Sequence, residues 1–440
     1  MDLLITNGTI VTMNAARDVL VRADLLIRDG RIVSVGRASK REGARKVLDA
    51  SGKVVLPGLI HAHLHACQTL FRNQADGLEL LAWLRQRIWP MEAAHDEASM
   101  RISADLSFAE LIKSGSTAAL DMGATRHADQ LFESARDCGF RLTGGKAMMD
   151  IGDDLPVGLR ETTADSLAES VRLIKAWHRA AGDRLRYALA PRFVLSCSEE
   201  LLRRAAEEAR EHSVRIHTHA SENRSECAAV RERTGKDNVE YLHSLGLTGP
   251  DVTLAHCVWL GPEEERILRE TGTHVCHCPS ANLKLASGIA RVPELLDGGV
   301  NVCLGADGAA CNNNLDMFAE MRLAALIHKT RAGAAAMPPG RVLEMATLSG
   351  ARALGLQDQL GSIEPGKRAD LTVIDLNHLH ALPGTELVGR LVHSARASDV
   401  LHVIIDGKLV MRDRQLLTLD EEAVVAHALE QSKRLGKRIA

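Results

Sequence analysis

The N-terminal stretch alternates short apolar runs with turn residues. Leu3–Ile5, Thr9–Met13, Asp24–Arg28, Arg31–Val35 and Lys53–Leu56 read as strands, with Asn7-Gly8, Asp29-Gly30 and Ser51-Gly52 as turns between them. The same signals return near the far end. Asp370–Asp375 and Val400–Ile405 read as strands, and Asp406-Gly407 as a hairpin turn into Lys408–Arg412. In the middle the period changes. Leu185–Leu189, Val214–Ala220, Val252–His256, His274–Cys278 and Val300–Gly305 are short apolar or alternating runs. Helical patterns separate them: Glu199–His212 behind the N-cap residue Ser198, Pro262–Glu270, and Val292–Asp297. A further amphipathic helix is predicted from Asp420 to Lys437.

Strand followed by helix at roughly 20–40 residue spacing predicts βαβ units and a parallel sheet. No G-x-G-x-x-G follows an early strand, which disfavours an open dinucleotide-binding sheet. The expected fold is therefore α/β: a (β/α)8 TIM-type barrel with a small β-sandwich domain built from both chain ends. The expected boundaries are residues 1–56 and 359–440 for the sandwich, with the last helix, and 57–358 for the barrel.

Composition narrows the functional classes. The 440 residues carry 54 Lys and Arg against 57 Asp and Glu, a net charge of −3, so there is no basic field for nucleic acid or a membrane surface. Aromatic residues make up only 3%, which argues against base-stacking platforms. Nine cysteines include no C-x-x-C pair, the N-terminus lacks a basic and then apolar signal pattern, and no apolar run approaches the ~18 residues of a membrane span. A cytoplasmic protein with reduced thiols is expected.

The candidate chemistry lies at strand ends. His61, His63 and His65 alternate on one predicted strand after Pro57-Gly58, so they face one side, and two such imidazoles can reach one metal ion. His217 and His219 repeat that spacing, with Glu222 three residues later. His256 closes an apolar strand, and Asp307 follows another between Gly305 and Gly308. A barrel would gather these four ends at one mouth. Three His and an Asp around an ion with an open water position form a catalytic inventory, beside which Glu222 would carry protons.

The segments Pro57-Gly58-Leu59-Ile60-His61-Ala62-His63-Leu64-His65, His219-Ala220-Ser221-Glu222, Leu254-Ala255-His256-Cys257 and Gly305-Ala306-Asp307-Gly308 resemble the metal motifs of the amidohydrolase superfamily, in its one-metal deaminase branch. The resemblance extends over essentially the whole chain, including Gly361 to Leu371. It implies one divalent metal ion per chain, zinc ahead of iron, held by His63, His65, His219 and Asp307. It also implies that His256 contacts the metal's water, that Glu222, His256 and Asp307 are catalytic, and that His217 stands behind the ligands. Oligomers are common among such relatives, so a homo-oligomer is expected.

The resemblance also points to a small-molecule purine or purine nucleoside, with water as co-substrate. Cys278 to Ala290 and Asp307 to Met317 are similar to deaminases of methylthioadenosine, S-adenosylhomocysteine and 5′-deoxyadenosine, as are Trp83 and Trp89-Pro90-Met91-Glu92. In that group the acid matching Glu92 holds the ribose diol, and Lys146 stands where an Arg binds a substrate carboxylate. Ala190 to Ser198, Gln68 and Gly145 to Asp150 instead resemble guanine deaminase, in which residues matching Gln68, Arg192 and Phe193 hold the base. The expectation is 5′-deoxyadenosine or methylthioadenosine first, then S-adenosylhomocysteine or adenosine, with guanine or an s-triazine or other heterocycle as alternatives. A two-metal cyclic amidase is disfavoured because none of these strand ends offers a bridging Lys. A non-catalytic scaffold is disfavoured because every ligand and Glu222 are present. Two look-alikes are set aside: Gly361 to Lys367 spells a P-loop but Arg368 replaces its Ser or Thr, and Cys276-His277-Cys278 reads as buried strand.

Overall fold

The protein is described by a computed structural model covering residues 2–36, 46–152 and 154–439. The chain starts with β1 (Leu3–Val11), β2 (Val19–Arg28), β3 (Arg31–Gly36), β4 (Lys46–Asp49) and β5 (Val54–Pro57). The turn expected at Asn7-Gly8 is instead an irregularity within the single strand β1. Asn7 adopts a left-handed φ of 59°, and the register against β2 shifts between Ile5 and Gly8. An Asx-Gly pair supplies the positive φ of a bulge as readily as that of a turn. Leu3–Thr6 of β1 then pair with β4, whereas Thr9 and Ile10 pair with β5, so the sheet forks along β1.

The barrel strands follow: β6 (Leu59–His65), β7 (Ser116–Met122), β8 (Arg141–Gly145) with its continuation β9 (Ala147–Met148), β10 (Leu185–Pro191), β11 (Arg215–Ala220), β12 (Val252–His256), β13 (His274–His277), and β14 (Val302–Leu304) with its continuation β15 (Asp307–Gly308). Neighbours pair in parallel from β6 round to β14, and β15 pairs back onto β6. Counting each interrupted strand once gives eight, a closed barrel. Most of these strands are buried along their whole length, as expected where helices cover the outside and side chains fill the inside. Closure requires Gly305. A Cβ there would lie 2.8 Å from the Cys276 sulfur and from the His63 backbone N and O.

The helix over Glu199–Glu211 starts where expected, with the Ser198 side chain accepting from the Leu201 N–H. Helices over Pro262–Thr271 and Val292–Asp297 fill the next two gaps, and the helix over Glu421–Ile439 packs on the barrel helix Glu97–Lys113.

The remaining strands, β16 (Leu371–Ile374), β17 (Val400–Ile405), β18 (Lys408–Arg412) and β19 (Gln415–Leu416), extend the N-terminal sheet in the order β19-β18-β17-β16-β5-β1-β2-β3. Its core includes Leu3, Ile5, Leu25, Val55, Leu371 and Ile404, so both ends of the chain bury one apolar cluster. Asp370 fastens this sheet to the barrel. Its carboxylate accepts from Arg141 Nε at 2.6 Å and Nη2 at 3.0 Å and from the Asp406 N–H, while its carbonyl accepts from the Gly58 N–H. No helix among the described residues is long and apolar enough to cross a membrane.

Candidate metal centre and active-site cleft

Each histidine of the centre stands at or near the C-terminal end of a barrel strand, and a partner fixes its ring. His65 Nδ1 donates to the Met122 carbonyl at 2.6 Å, and His219 Nδ1 donates to the Arg192 carbonyl at 2.7 Å. A carbonyl can only accept, so both rings present an unprotonated Nε2 when neutral. Those two Nε2 atoms face each other at 3.2 Å. Two lone pairs in that position repel unless a cation lies between them. His63 Nδ1 meets His217 Nε2 at 2.9 Å, while its own Nε2 is buried without a hydrogen-bond partner, 3.3 Å from Asp307 Oδ1. One candidate ligand set comprises His63, His65 and His219, and a second comprises His63, His256 and Asp307. Within each set the ligand atoms all lie within 4.8 Å of one another. Nitrogen and carboxylate donors backed by carbonyls suit a divalent ion such as zinc. His61 takes no part: its Nε2 meets Ser116 Oγ at 3.1 Å and its Nδ1 accepts from the Ala306 N–H.

Asp307 and His256 both sit at left-handed φ, 64° and 73°, which side chains accept only where the surrounding structure compels it. His256 Nδ1 bonds Asn282 Oδ1 at 2.8 Å, leaving Nε2 buried 3.4 Å from Glu222 Oε2 and 3.8 Å from Asp307 Oδ2. Glu222 also accepts from Ser287 Oγ at 3.2 Å. Burial pushes the Glu222 carboxyl up to about 7. Burial alone would raise Asp307 as well, but His63, His256 and His65 together hold it well below the ordinary carboxylate range. Burial lowers His256, yet Glu222 and Asp307 reverse that and leave it raised.

Asp307, His256 and Glu222 line a cleft with Trp83, Leu84, Phe193 and Leu285 on its apolar walls. Arg192 lines it too, and here the expected substrate residues divide. Glu92 is buried and faces Arg192, whose Nη1 and Nη2 donate to its two oxygens at 2.6 and 3.2 Å. Gln68 Nε2 donates to the same carboxylate at 2.9 Å. Glu92 and Gln68 thus lie behind Arg192 rather than on the lining of the cleft. Lys146 lies off the cleft as well. It is fully buried with Nζ on Glu161 Oε2 at 2.7 Å, Ser166 Oγ and the Ala147 carbonyl, and it does not line the cleft. A β-strand alternates faces, and Lys146 falls at the break between β8 and β9, where its side chain meets Glu161 and Ser166.

The look-alikes resolve structurally. Lys367 of the P-loop-like run bonds the Gln357 and Leu360 carbonyls and Ser362 Oγ. Cys276 and Cys278 share one side, sulfurs 4.0 Å apart, and His277 faces the other way against His328. All nine cysteines are free thiols.

Sequence reasoning missed Glu226 and Asn282. Glu226 Oε2 accepts from the Glu222 N–H at 2.7 Å and the Asn223 N–H at 3.3 Å, closing a capping box that fixes the Glu222 loop. Its signal was available as Asn223 three residues before Glu226. Asn282 lies on a separate helix and had no such signal.

Fold and centre together define a barrel hydrolase of the kind that uses histidines and an aspartate at strand ends to hold a metal. The sequence pattern of the Amidohydrolase family matches residues 54–410, and the chain belongs to that family. It is 38% identical over 439 residues to the 5′-deoxyadenosine deaminase of Methanosarcina mazei, covering 100% of this chain and 99% of the relative. It is 41% identical over 432 residues to the 5-methylthioadenosine/S-adenosylhomocysteine deaminase of Syntrophobacter fumaroxidans, covering 96% of each. Among solved structures it superposes on an adenosine deaminase from Xanthomonas campestris with bound zinc, with a TM-score of 0.93, 32% identity and 99% of both chains covered.

Proposed function

We propose that the protein is a metal-dependent hydrolytic deaminase of an aminopurine, forming the oxopurine and ammonia. The observation that carries the reading is the facing pair of unprotonated His65 and His219 Nε2 atoms, with Asp307, His256 and Glu222 beside them in one buried cleft. His63, His65, His219 and Asp307 would hold one divalent ion, zinc ahead of iron. When bound, such an ion supplies a Lewis acid that makes water a usable nucleophile near neutral pH.

The remaining steps belong to the chain. Asp307 accepts a proton from the attacking water. His256, donating from Nε2, steadies the oxygen as charge develops on it. Glu222 delivers a proton to the ring nitrogen beside the attacked carbon, because the ring accepts electrons only once that nitrogen is protonated. Trp83 and Phe193 supply apolar walls for a flat ring.

The whole-length relatives support 5′-deoxyadenosine and 5-methylthioadenosine as substrates. A second reading, guanine, is favoured by the placement of Arg192 on the cleft wall with Gln68 behind it. We read residues 57–358 as the catalytic barrel and residues 1–56 and 359–440 as its supporting sheet domain, in a cytoplasmic protein. The test is ammonia release and ultraviolet change with zinc-loaded protein on 5′-deoxyadenosine, methylthioadenosine and guanine in parallel. Ammonia from none of them would overturn the reading.

A further inference from the structure

Glu92 and Arg192 are expected, by separate resemblances, to touch different parts of a substrate, one the sugar and the other the base. In the folded chain they touch each other. Glu92 is 3% exposed and Arg192 also 3%, and the carboxylate already receives three N–H donors: two from the guanidinium and one from Gln68. A carboxylate offers about four lone-pair sites. A sugar diol needs two of them, so it would have to displace a buried, bidentate guanidinium bond. Removing one partner of such a pair leaves an uncompensated buried charge, which costs more than two neutral hydroxyls return.

Arg192 is in turn tied to the metal centre through its own backbone. Its carbonyl accepts from the Nδ1 and the backbone N–H of His219, and from Thr218 Oγ1. Glu92 occupies the end of the guanidinium fork, Nη1 and Nη2. The Nε side bonds to no protein group among the described residues and belongs to a side chain on the cleft lining. A guanidinium held that way presents an Nε–H and an Nη–H in one plane, a fork that matches two adjacent acceptors on a ring edge.

We propose that Glu92 is a positioning residue that fixes Arg192 as a planar donor fork for a purine whose ring carbonyl oxygen lies beside an unprotonated ring nitrogen on the same edge, and that it does not serve as the acceptor of a sugar diol. The inference rests on the aminopurine reading and selects the free oxo-base within it. Gln68 contributes from behind. Gly308 lets it in, since a Cβ there would lie 2.1 Å from Gln68 Oε1.

The experiment is steady-state kinetics of the zinc-loaded protein on guanine and on 5′-deoxyadenosine, comparing wild type, Glu92→Gln and Glu92→Asp. Wild type should turn over guanine with at least about 100-fold higher kcat/KM than the nucleoside. Glu92→Gln should raise the guanine KM about 10- to 100-fold with kcat within about threefold, since one well-placed charged hydrogen bond is worth that much. Glu92→Asp, which keeps the charge, should recover part of it. If the buried Arg192 left by Glu92→Gln prevents folding, the charge-free double variant Glu92→Gln/Arg192→Gln should fold and lose the preference for guanine. A rise in KM confined to 5′-deoxyadenosine would overturn the inference and leave the deaminase reading standing. Turnover of neither purine by wild type would overturn both.

Discussion

Glu320 offers a test of the site's support that can be read without any substrate. It projects from the helix Met317–Ile327, fully buried, and accepts from the Ser280 N–H at 3.3 Å, Ser280 Oγ at 2.5 Å and Asn312 Nδ2 at 2.9 Å. Asn312 Nδ2 also donates to the Ala306 carbonyl, immediately before Asp307, so Glu320 braces the loop that carries this candidate metal ligand. Burial outweighs those hydrogen bonds and pushes the carboxyl from its ordinary 4.5 up to about 7. The folded state therefore keeps a proton that the unfolded chain releases. Below pH 4.5 both states hold the proton, and above pH 7 neither does. Between these limits stability falls as pH rises. At about 1.4 kcal/mol per pKa unit, the loss between pH 5 and pH 8 comes to about 2–3 kcal/mol. Glu320→Gln cannot ionise, keeps an acceptor for Ser280, and removes that slope. Urea unfolding of zinc-loaded wild type and variant at pH 5 and pH 8 measures it. The variant should gain about 2–3 kcal/mol on wild type between the two pH values. A stability difference that stays constant with pH would show that Glu320 is ionised throughout and that the hydrogen bonds win over burial.

Three further outcomes are expected. Glu222→Gln should keep fold and metal, because its loop is held through its backbone N–H by Glu226, yet lose about 10²–10⁴-fold in kcat. Deamination within tenfold of wild type would remove Glu222 from proton transfer. Asp370→Ala takes from Arg141, 2% exposed, its two-bond carboxylate partner and leaves only the more distant Asp406 at 3.7 Å; it should cost about 3–5 kcal/mol in urea unfolding, while Arg141→Met/Asp370→Leu should recover most of it. Equal instability of single and double variants would refute the desolvation account. His65→Ala should abolish stoichiometric zinc measured by mass spectrometry, whereas His61→Ala should retain it, since among the described residues His61 bonds Ser116 and Ala306 alone.

Much of this architecture was legible because it follows from local rules. Histidines two apart must share a strand face, and Pro57-Gly58, Ser198 and the Gly-flanked Asp307 mark boundaries that the folded chain uses. Asn7-Gly8 misled because a positive φ does not distinguish a bulge inside a strand from a turn between strands; pairing with β4 and β5, distant in sequence, decides it. Strands β7 and β8 were not singled out: Ser116–Met122 and Arg141–Gly145 are rich in Ala, Ser, Thr and Gly and carry little β-branched signal, though both are fully buried. Lys146, Glu92 and Gln68 show a deeper limit. Motif position identifies a residue's neighbourhood, but whether a charged group meets substrate or another side chain depends on partners such as Glu161 and Arg192, 15 and 100 residues away along the chain.

The same dependence on distant partners divides labour between the two carboxylates at His256. Asp307 and Glu222 both approach one imidazole nitrogen and both are buried, yet their surroundings drive them apart. Three histidine rings hold Asp307 ionised, while burial, and after it the negative neighbours Asp307 and Glu226, push Glu222 up to about 7. A deaminase needs one group to take a proton from water and another to give one to the ring, at the same pH. Two identical carboxylates in a uniform medium would do neither well. In the proposed reaction His63, with Asp307 3.3 Å from its Nε2, would make one of them the base, and enclosure among Ser287, His256 and the Glu226-capped loop would make the other the acid.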